Sequence, residues 1–227
     1  MQKHLLAATL TATLTTVLST GCTTFDAYTG EEKVSKTAIG AGIGAGVGAV
    51  AAYLDNRDEK SAKKRNQRIL ASAVGGGVIG GGIGYYMDAQ EAKLRKQLRG
   101  SGVSVQREGD SINLIMPGNI TFGSGRSAIA SNFYDVLNSV VVVLKEYDKT
   151  LVVVAGHTDS DGSTSLNQTL SEERAQSVST YLDQQGIKSI RLEPVGFGET
   201  RPIASNTTTT GKEQNRRVEI TLVPATE

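Results

Sequence analysis

The sequence has no tryptophan, and aromatic residues make up only 5% of its 227 positions. Recognition of sugars or bases by rows of stacking rings needs exposed aromatic platforms, so that mode is excluded as the main device. A single cysteine, Cys22, excludes an internal disulfide. Of two histidines only His157 lies beyond the first 22 residues, and neither a cysteine nor another histidine accompanies it to build a metal site. The formal net charge of +1 gives no global attraction to nucleic acid. Charge is nonetheless uneven. Residues 1–100 carry 13 Lys/Arg against 8 Asp/Glu, and residues 101–227 carry 11 against 15, so the two halves are built for different surroundings.

What is present begins with a targeting signal. Lys3 is followed by an uncharged stretch from Leu5 to Leu18 and then by the small residues Ser19-Thr20-Gly21, the order of a secretory signal. The stretch is Thr-rich and too short for a strong transmembrane helix. With Cys22 directly after Gly21 it resembles a bacterial lipoprotein signal. The resemblance implies removal of residues 1–21, acylation of Cys22, and attachment to membrane lipid through it. Several acyl chains hold firmly where one is marginal. By the same resemblance Thr23, in place of Asp, favours the outer membrane with the rest of the chain facing the periplasm. Ser19 departs from the pattern, which usually has Leu there, and an ordinary secretory signal is the alternative.

A polar linker, 22–36, leads to two glycine-rich apolar arms, 37–54 and 69–87, separated by the charged stretch DNRDEKSAKKRNQR (55–68). As helices of about 18 residues the arms would be about 27 Å long, near the thickness of a bilayer core. Glycine disfavours helix by about 1 kcal/mol against Ala, so the arms need partners. Gly40, Gly44 and Gly48, and then Gly76, Gly80 and Gly84, repeat the small-xxx-small spacing of close helix packing. The segment 37–88 reads as a glycine-zipper helical hairpin that inserts in a membrane or self-associates into a homo-oligomer. A low-complexity spacer and a strand with period-two glycines are the alternatives. Gly75, Gly77 and Gly80 fit a dinucleotide-loop spacing but lack the preceding strand and the later acidic residue. DAQEAKLRKQLRG (88–100) reads as an exposed connecting helix over 89–100 ending at Gly100.

Residues 101–227 read as one α+β domain, a two-layer βαβαββ sandwich. Alternation around Gly109-Asp110 gives a hairpin, and Ile129 to Tyr147 keep a helical period. LVVVAGH (151–157) is a buried strand. Residues 165–185 form a second helix, with Ser165 and Gln168 as a capping box. Residues 190–197 and 216–223 are further strands. Right-handed crossovers place both helices on one face. Leu166, Leu170, Val178 and Leu182 mark the buried stripe of the second helix, and Arg174 lies on it. An arginine there must be paired or face a pocket. Asp159 stands where the strand exits into a loop. Arg216 travels in strand phase with Val218, Ile220 and Leu222, whereas Arg217 travels with Glu219 and should face solvent. No nucleophile with a placed base and no metal set accompanies them, and Asp159-x-Asp161-Gly162 misfits a calcium loop. The reading is binding without catalysis, without metal and without a cofactor.

GHTDSDGS (156–163), Asn167, LSEERA (170–175) and NRRVEI (215–220) resemble the OmpA-like peptidoglycan-binding domain. The layout of Cys22, AYTGE (27–31), the glycine hairpin and GYYMDAQEAKLR (84–95) is similar to that of YiaD-type OmpA-family lipoproteins. The resemblance implies that Asp159 and Arg174 hold the zwitterionic free end of diaminopimelate in the peptidoglycan stem peptide. Thr158, Asn167 and Arg216 would support them. The function it implies is non-covalent tethering of the outer membrane to the cell wall. Gly123 stands where the family often has Asp. Three alternatives remain at this point: an Asp159–Arg174 pair that only braces the fold, a glycine-zipper oligomer that organises or perturbs a membrane, and an adaptor that regulates another envelope protein.

Overall fold

The structure, a computed structural model, describes residues 23–25, 32–34, 50, 53–54, 56, 58–72, 82–123 and 125–226. The expected signal peptide, Cys22 and most of the glycine positions of both arms lie outside the described residues. The chain divides into two compact units, 1–38 and 39–227. In the first, β1 (Thr23–Phe25) pairs antiparallel with β2 (Glu32–Val34), with Thr23 opposite Val34.

The second unit is organised on one mixed sheet. β3 (Ser104–Glu108) and β4 (Ser111–Pro117) form the expected hairpin, and Gly109 supplies the positive φ of 51° that its two-residue turn requires. β5 (Thr150–His157), β6 (Leu192–Gly196) and β7 (Arg217–Pro224) complete the order β3-β4-β7-β5-β6. β7 is antiparallel to both neighbours, and β6 is parallel to β5. The crossover from β4 to β5 therefore leaves a gap that the last strand fills. Two helices make these crossovers, Tyr134–Glu146 and Thr164–Gln184, and both pack into the core formed by Ile112, Leu114, Val152, Val154, Ile220 and Leu222. The two-layer α+β arrangement read from periodicity is present.

The longer helix sits unusually close to the sheet. A Cβ on Gly156 would lie 2.0 Å from the carbonyl oxygen of Ser171, so only glycine lets the helix backbone rest on the end of β5. Three local expectations change here. The helix is capped by Ser163, whose hydroxyl accepts from Leu166 N at 3.3 Å, rather than by Ser165. Leu166 is 68% exposed because the first turn projects past the strand ends. The buried stripe is instead Asn167, Ser171, Arg174, Ala175, Val178 and Leu182.

The rest of the described chain covers both faces. α1 (Glu59–Ser72) covers most of the charged stretch between the glycine arms and runs into the start of the expected second arm. Its Ile69 and Leu70 pack with Val50 against Leu151, Val153 and Ala155, on the face of the sheet away from the crossover helices. Tyr53 Oη and Arg65 Nη1 donate to Glu193 on β6 at 2.7 and 2.9 Å. α2 (Ile83–Gln97) starts inside the expected second arm, and it is not an exposed connector: Met87 and Leu94 are fully buried in the main core. Its C-terminal turn holds Gly100 at φ 77°. α3 is the helix Tyr134–Glu146, α4 the helix Thr164–Gln184, and α5 spans Thr209–Asn215. Among the described residues no helix is long and apolar enough to cross a membrane.

The second face of β7 also departs from expectation. Arg217 is 1% exposed and does not face solvent. Its Nε donates to Glu219 Oε1 at 2.6 Å, and its Nη2 donates to the Arg201 carbonyl at 3.2 Å. Asn113 Nδ2 donates to Glu219 Oε2 at 2.9 Å, and Thr221 Oγ1 donates to Asn113 Oδ1 at 3.2 Å. The loop after β6 closes over this ladder, and Phe197 stacks on His157 with centroids 5.4 Å apart. A buried pair is tolerated here because its remaining lone pairs and protons are satisfied.

Candidate functional site

A cleft of about 590 Å³ opens where β5 ends and α4 begins. Its walls come from distant parts of the chain: the turn Gly118–Thr121 with Phe122, the loop at 158–161, the first turns of α4, and Arg216 between α5 and β7. All five side chains read as ligand contacts line it: Thr158, Asp159, Asn167, Arg174 and Arg216.

Backbone bonds hold the cleft open. Thr158 N donates to Gly198 O at 2.9 Å, and Gly198 N donates to Ser171 Oγ at 2.9 Å, so the β6 loop ties the end of β5 to α4. Gly118 N donates to Arg216 O at 2.7 Å. A Cβ on Gly118 would lie 2.5 Å from that oxygen, which accounts for glycine at this position.

Asp159 is 6% exposed, and its carboxylate is fixed from two sides. Oδ1 accepts from Asp161 N at 3.1 Å, and Oδ2 accepts from Arg216 Nη1 at 2.5 Å. Arg174 is 4% exposed and lies differently. Its Nε donates to the Arg126 carbonyl at 3.1 Å, and its guanidinium stands 5.2 Å from the centre of the Phe122 ring. Among the described residues no carboxylate is within salt-bridge distance of it, and its two terminal nitrogens make no hydrogen bond. Burial is the main influence pulling its pKa down, the nearby Arg216 adds to this, and Asp159 opposes both. The direct Asp159–Arg174 brace, one of the alternatives read from the sequence, is therefore not formed; Arg216 is the partner of Asp159.

The supporting residues also divide. Thr158 is buried at the cleft with Oγ1 lacking any hydrogen-bond partner. Asn167 Nδ2 donates to Glu199 Oε2 at 2.5 Å, and Glu199 Oε1 accepts from Thr164 Oγ1 at 3.0 Å. Glu199 was not singled out in the sequence. It sits in the β6 loop, where no periodicity announces a residue, and only its place in GFGE (196–199) beside two glycines hints at a tight turn. Gly123 stands at the rim, where a Cβ would meet Arg126 Cδ at 3.3 Å. His157 lies on the other face of the sheet with neither ring nitrogen hydrogen-bonded. Burial first, then Arg217 and Arg201, push its pKa well below 6.5. Among the described residues no three His, Cys, Asp or Glu side chains are grouped to hold a metal ion.

Chemically, the cleft combines a fixed carboxylate and a nearly buried guanidinium with unpaired terminal nitrogens, and the Thr158 hydroxyl lies buried in its wall. It suits a small group carrying both charges.

Known proteins place this arrangement. Residues 121–216 match the OmpA family, and residues 1–88 match the YMGG-like Gly-zipper. The chain is 49% identical over 204 residues to the "Probable lipoprotein YiaD" of Escherichia coli K12, covering 90% of this chain and 91% of that protein. It is 38% identical over 112 residues to the peptidoglycan-binding protein ArfA of Mycobacterium tuberculosis H37Rv, covering 49% of this chain and 34% of that protein. Among solved structures it resembles the cell wall anchor of the T6SS from Pseudomonas aeruginosa, with TM-score 0.53 and 29% identity, covering 58% of this chain and 96% of that one. Extended similarity to the E. coli lipoprotein, with the OmpA match spanning the cleft, establishes that the chain belongs to the OmpA family, in the branch that carries an N-terminal glycine zipper.

Proposed function

We propose that the chain binds peptidoglycan non-covalently through the cleft, by the free end of diaminopimelate in the stem peptide. One observation carries the reading: a nearly buried guanidinium, Arg174, whose terminal nitrogens have no partner, beside the fixed carboxylate of Asp159. The diaminopimelate end holds an ammonium and a carboxylate on one carbon. Asp159 accepts from the ammonium and Arg174 clamps the carboxylate through both terminal nitrogens, with Thr158 in the wall beside them. Each charge-assisted bond contributes about 1.5–3 kcal/mol, so a single site is weak. Confinement between membrane and wall raises the effective concentration and makes weak sites sufficient. With acylated Cys22 in the outer membrane, the molecule is a passive tether in the periplasm.

The glycine-zipper alternative places function in residues 37–88, most of whose glycine positions lie outside the described residues. The test is co-sedimentation of the mature chain with purified wall sacculi. Wild type should pellet, and Asp159→Ala and Arg174→Ala should stay in solution with unchanged circular dichroism. Sacculus binding retained by folded Arg174→Ala would remove the clamp from the account.

A further inference from the structure

We infer that the outward face of α1 is a second docking surface, fitted to an anionic phospholipid bilayer. The helix carries Lys60, Lys63, Lys64, Arg65 and Arg68 against one acid, Glu59. Arg65 is used internally, on Glu193 of β6. Ile69 and Leu70 are buried on the sheet. The other four cations are all exposed, and among the described residues no carboxylate pairs with them. At about 100° per residue they fall within an arc of about 140°, and Arg65, Ile69 and Leu70 occupy the complementary arc. The helix is thus fixed in rotation by its docked side, and the basic side is held outward as a rigid strip.

Two further features choose the occupant. The domain beyond residue 100 is mildly acidic, with 11 Lys/Arg against 15 Asp/Glu, so the strip is not an extension of a generally basic surface. It also faces away from the cleft: α1 packs on one face of the sheet, and α4, which carries Arg174, packs on the other. A surface for the wall and a surface for a membrane on opposite sides of one sheet would let the domain stand in the gap between them. The strip also lies beside the described residues of the two apolar stretches, since Val50 and Leu54 of the first share a cluster with Ile69 and Leu70, which begin the second. Cations near an anionic leaflet gain about 1 kcal/mol each, or about fivefold in partitioning.

The experiment is flotation of the mature chain carrying Cys22→Ser, which removes the acyl anchor, with vesicles of phosphatidylethanolamine alone or mixed with phosphatidylglycerol, at low and high salt. The expected result is a preference for the anionic vesicles that salt abolishes. The variant K60Q/K63Q/K64Q/R68Q should lose that preference by up to about 600-fold, for four cations at about fivefold each acting independently. It should keep its circular dichroism and its sacculus binding, since none of the four lines the cleft. Equal binding of wild type to neutral and anionic vesicles, or an undiminished anionic preference in the variant, would overturn the inference. So would a variant that loses sacculus binding while keeping vesicle binding, which would assign the strip to the wall. The outcome is separable from the cleft reading, because Arg174→Ala tests the cleft without touching α1.

Discussion

Replacing Gly156 by alanine should disable the cleft from behind. The added Cβ would lie 2.0 Å from the Ser171 carbonyl oxygen and 2.8 Å from its carbon. An ordinary carbon–oxygen contact is about 3.3 Å or more, so α4 must retreat from β5 by roughly 1 Å. The obstacle is helix backbone, which cannot swing aside like a side-chain tip. The cost belongs at the upper end of overpacking, about 3 kcal/mol, or roughly 6–12 °C in Tm for a domain of this size. The same retreat separates Arg174, on α4, from Asp159, which follows β5. It also strains the Gly198–Ser171 bond that fixes the loop between them. Sacculus binding should therefore fall by at least tenfold, since one lost charge-assisted bond already costs about 1.5–3 kcal/mol. Thermal melting by circular dichroism, with co-sedimentation below the transition, reads both effects. A variant that melts within about 2 °C of wild type and binds normally would refute the close-approach reasoning.

Other parts of the structure give equally direct expectations. Arg191 is buried and donates to the carbonyls of Thr150, Leu144 and Tyr147 at 2.8, 2.7 and 3.0 Å; burial lowers its pKa to about 10, which leaves it charged at neutral pH. Arg191→Met should cost about 3 kcal/mol or more by stranding those carbonyls, measured as a shift in urea midpoint with unchanged slope. His157 has a folded pKa below its unfolded value near 6.5, so below that pH the unfolded chain takes up a proton that the folded chain refuses. Stability should drop as pH falls from about 6.5, by up to about 1.4 kcal/mol per unit, and His157→Leu should lack that component in urea titrations compared across pH. Glu199→Ala should free Asn167 and weaken sacculus binding about tenfold, one bond to a charged group, while Tm moves by only a few degrees. A large loss of Tm instead would make Glu199 a structural brace.

The sequence carried the elements with regular burial and lost those without it. β5 was legible as a continuous apolar run, buried on both faces, and the amphipathic α3 because its apolar residues keep a helical period; Asp159, Arg174 and Arg216 could be brought to one edge from strand and helix phase alone. Arg217 and Glu219 were misplaced because alternation on β7 was read with one face wet. That face is closed by Phe197 and its loop, a tertiary event with no local signal. α1 was hidden by its own charge: its docking residues Ile69 and Leu70 sit at its last turn, next to apolar sequence that claimed them for an arm. Met87 and Leu94 of α2 and Leu98 just past its end share one buried side, but the boundary between apolar and charged sequence divides them. The pairing of Asp159 with Arg216 rather than Arg174 depends on where the α5 end delivers Arg216, which spacing along the chain does not encode.

The central claim is that the cleft reads the free end of diaminopimelate, and titration of the isotope-labelled chain with a diaminopimelate-containing muropeptide, followed by amide shifts, tests it most directly. The account predicts saturable shifts clustered at Gly118, Thr158, Asp159, Asn167 and Gly198, abolished in Arg174→Ala and weakened when the muropeptide's diaminopimelate is amidated at its free carboxyl. Shifts confined to the opposite face of the sheet, or cleft shifts that persist in Arg174→Ala, would contradict it.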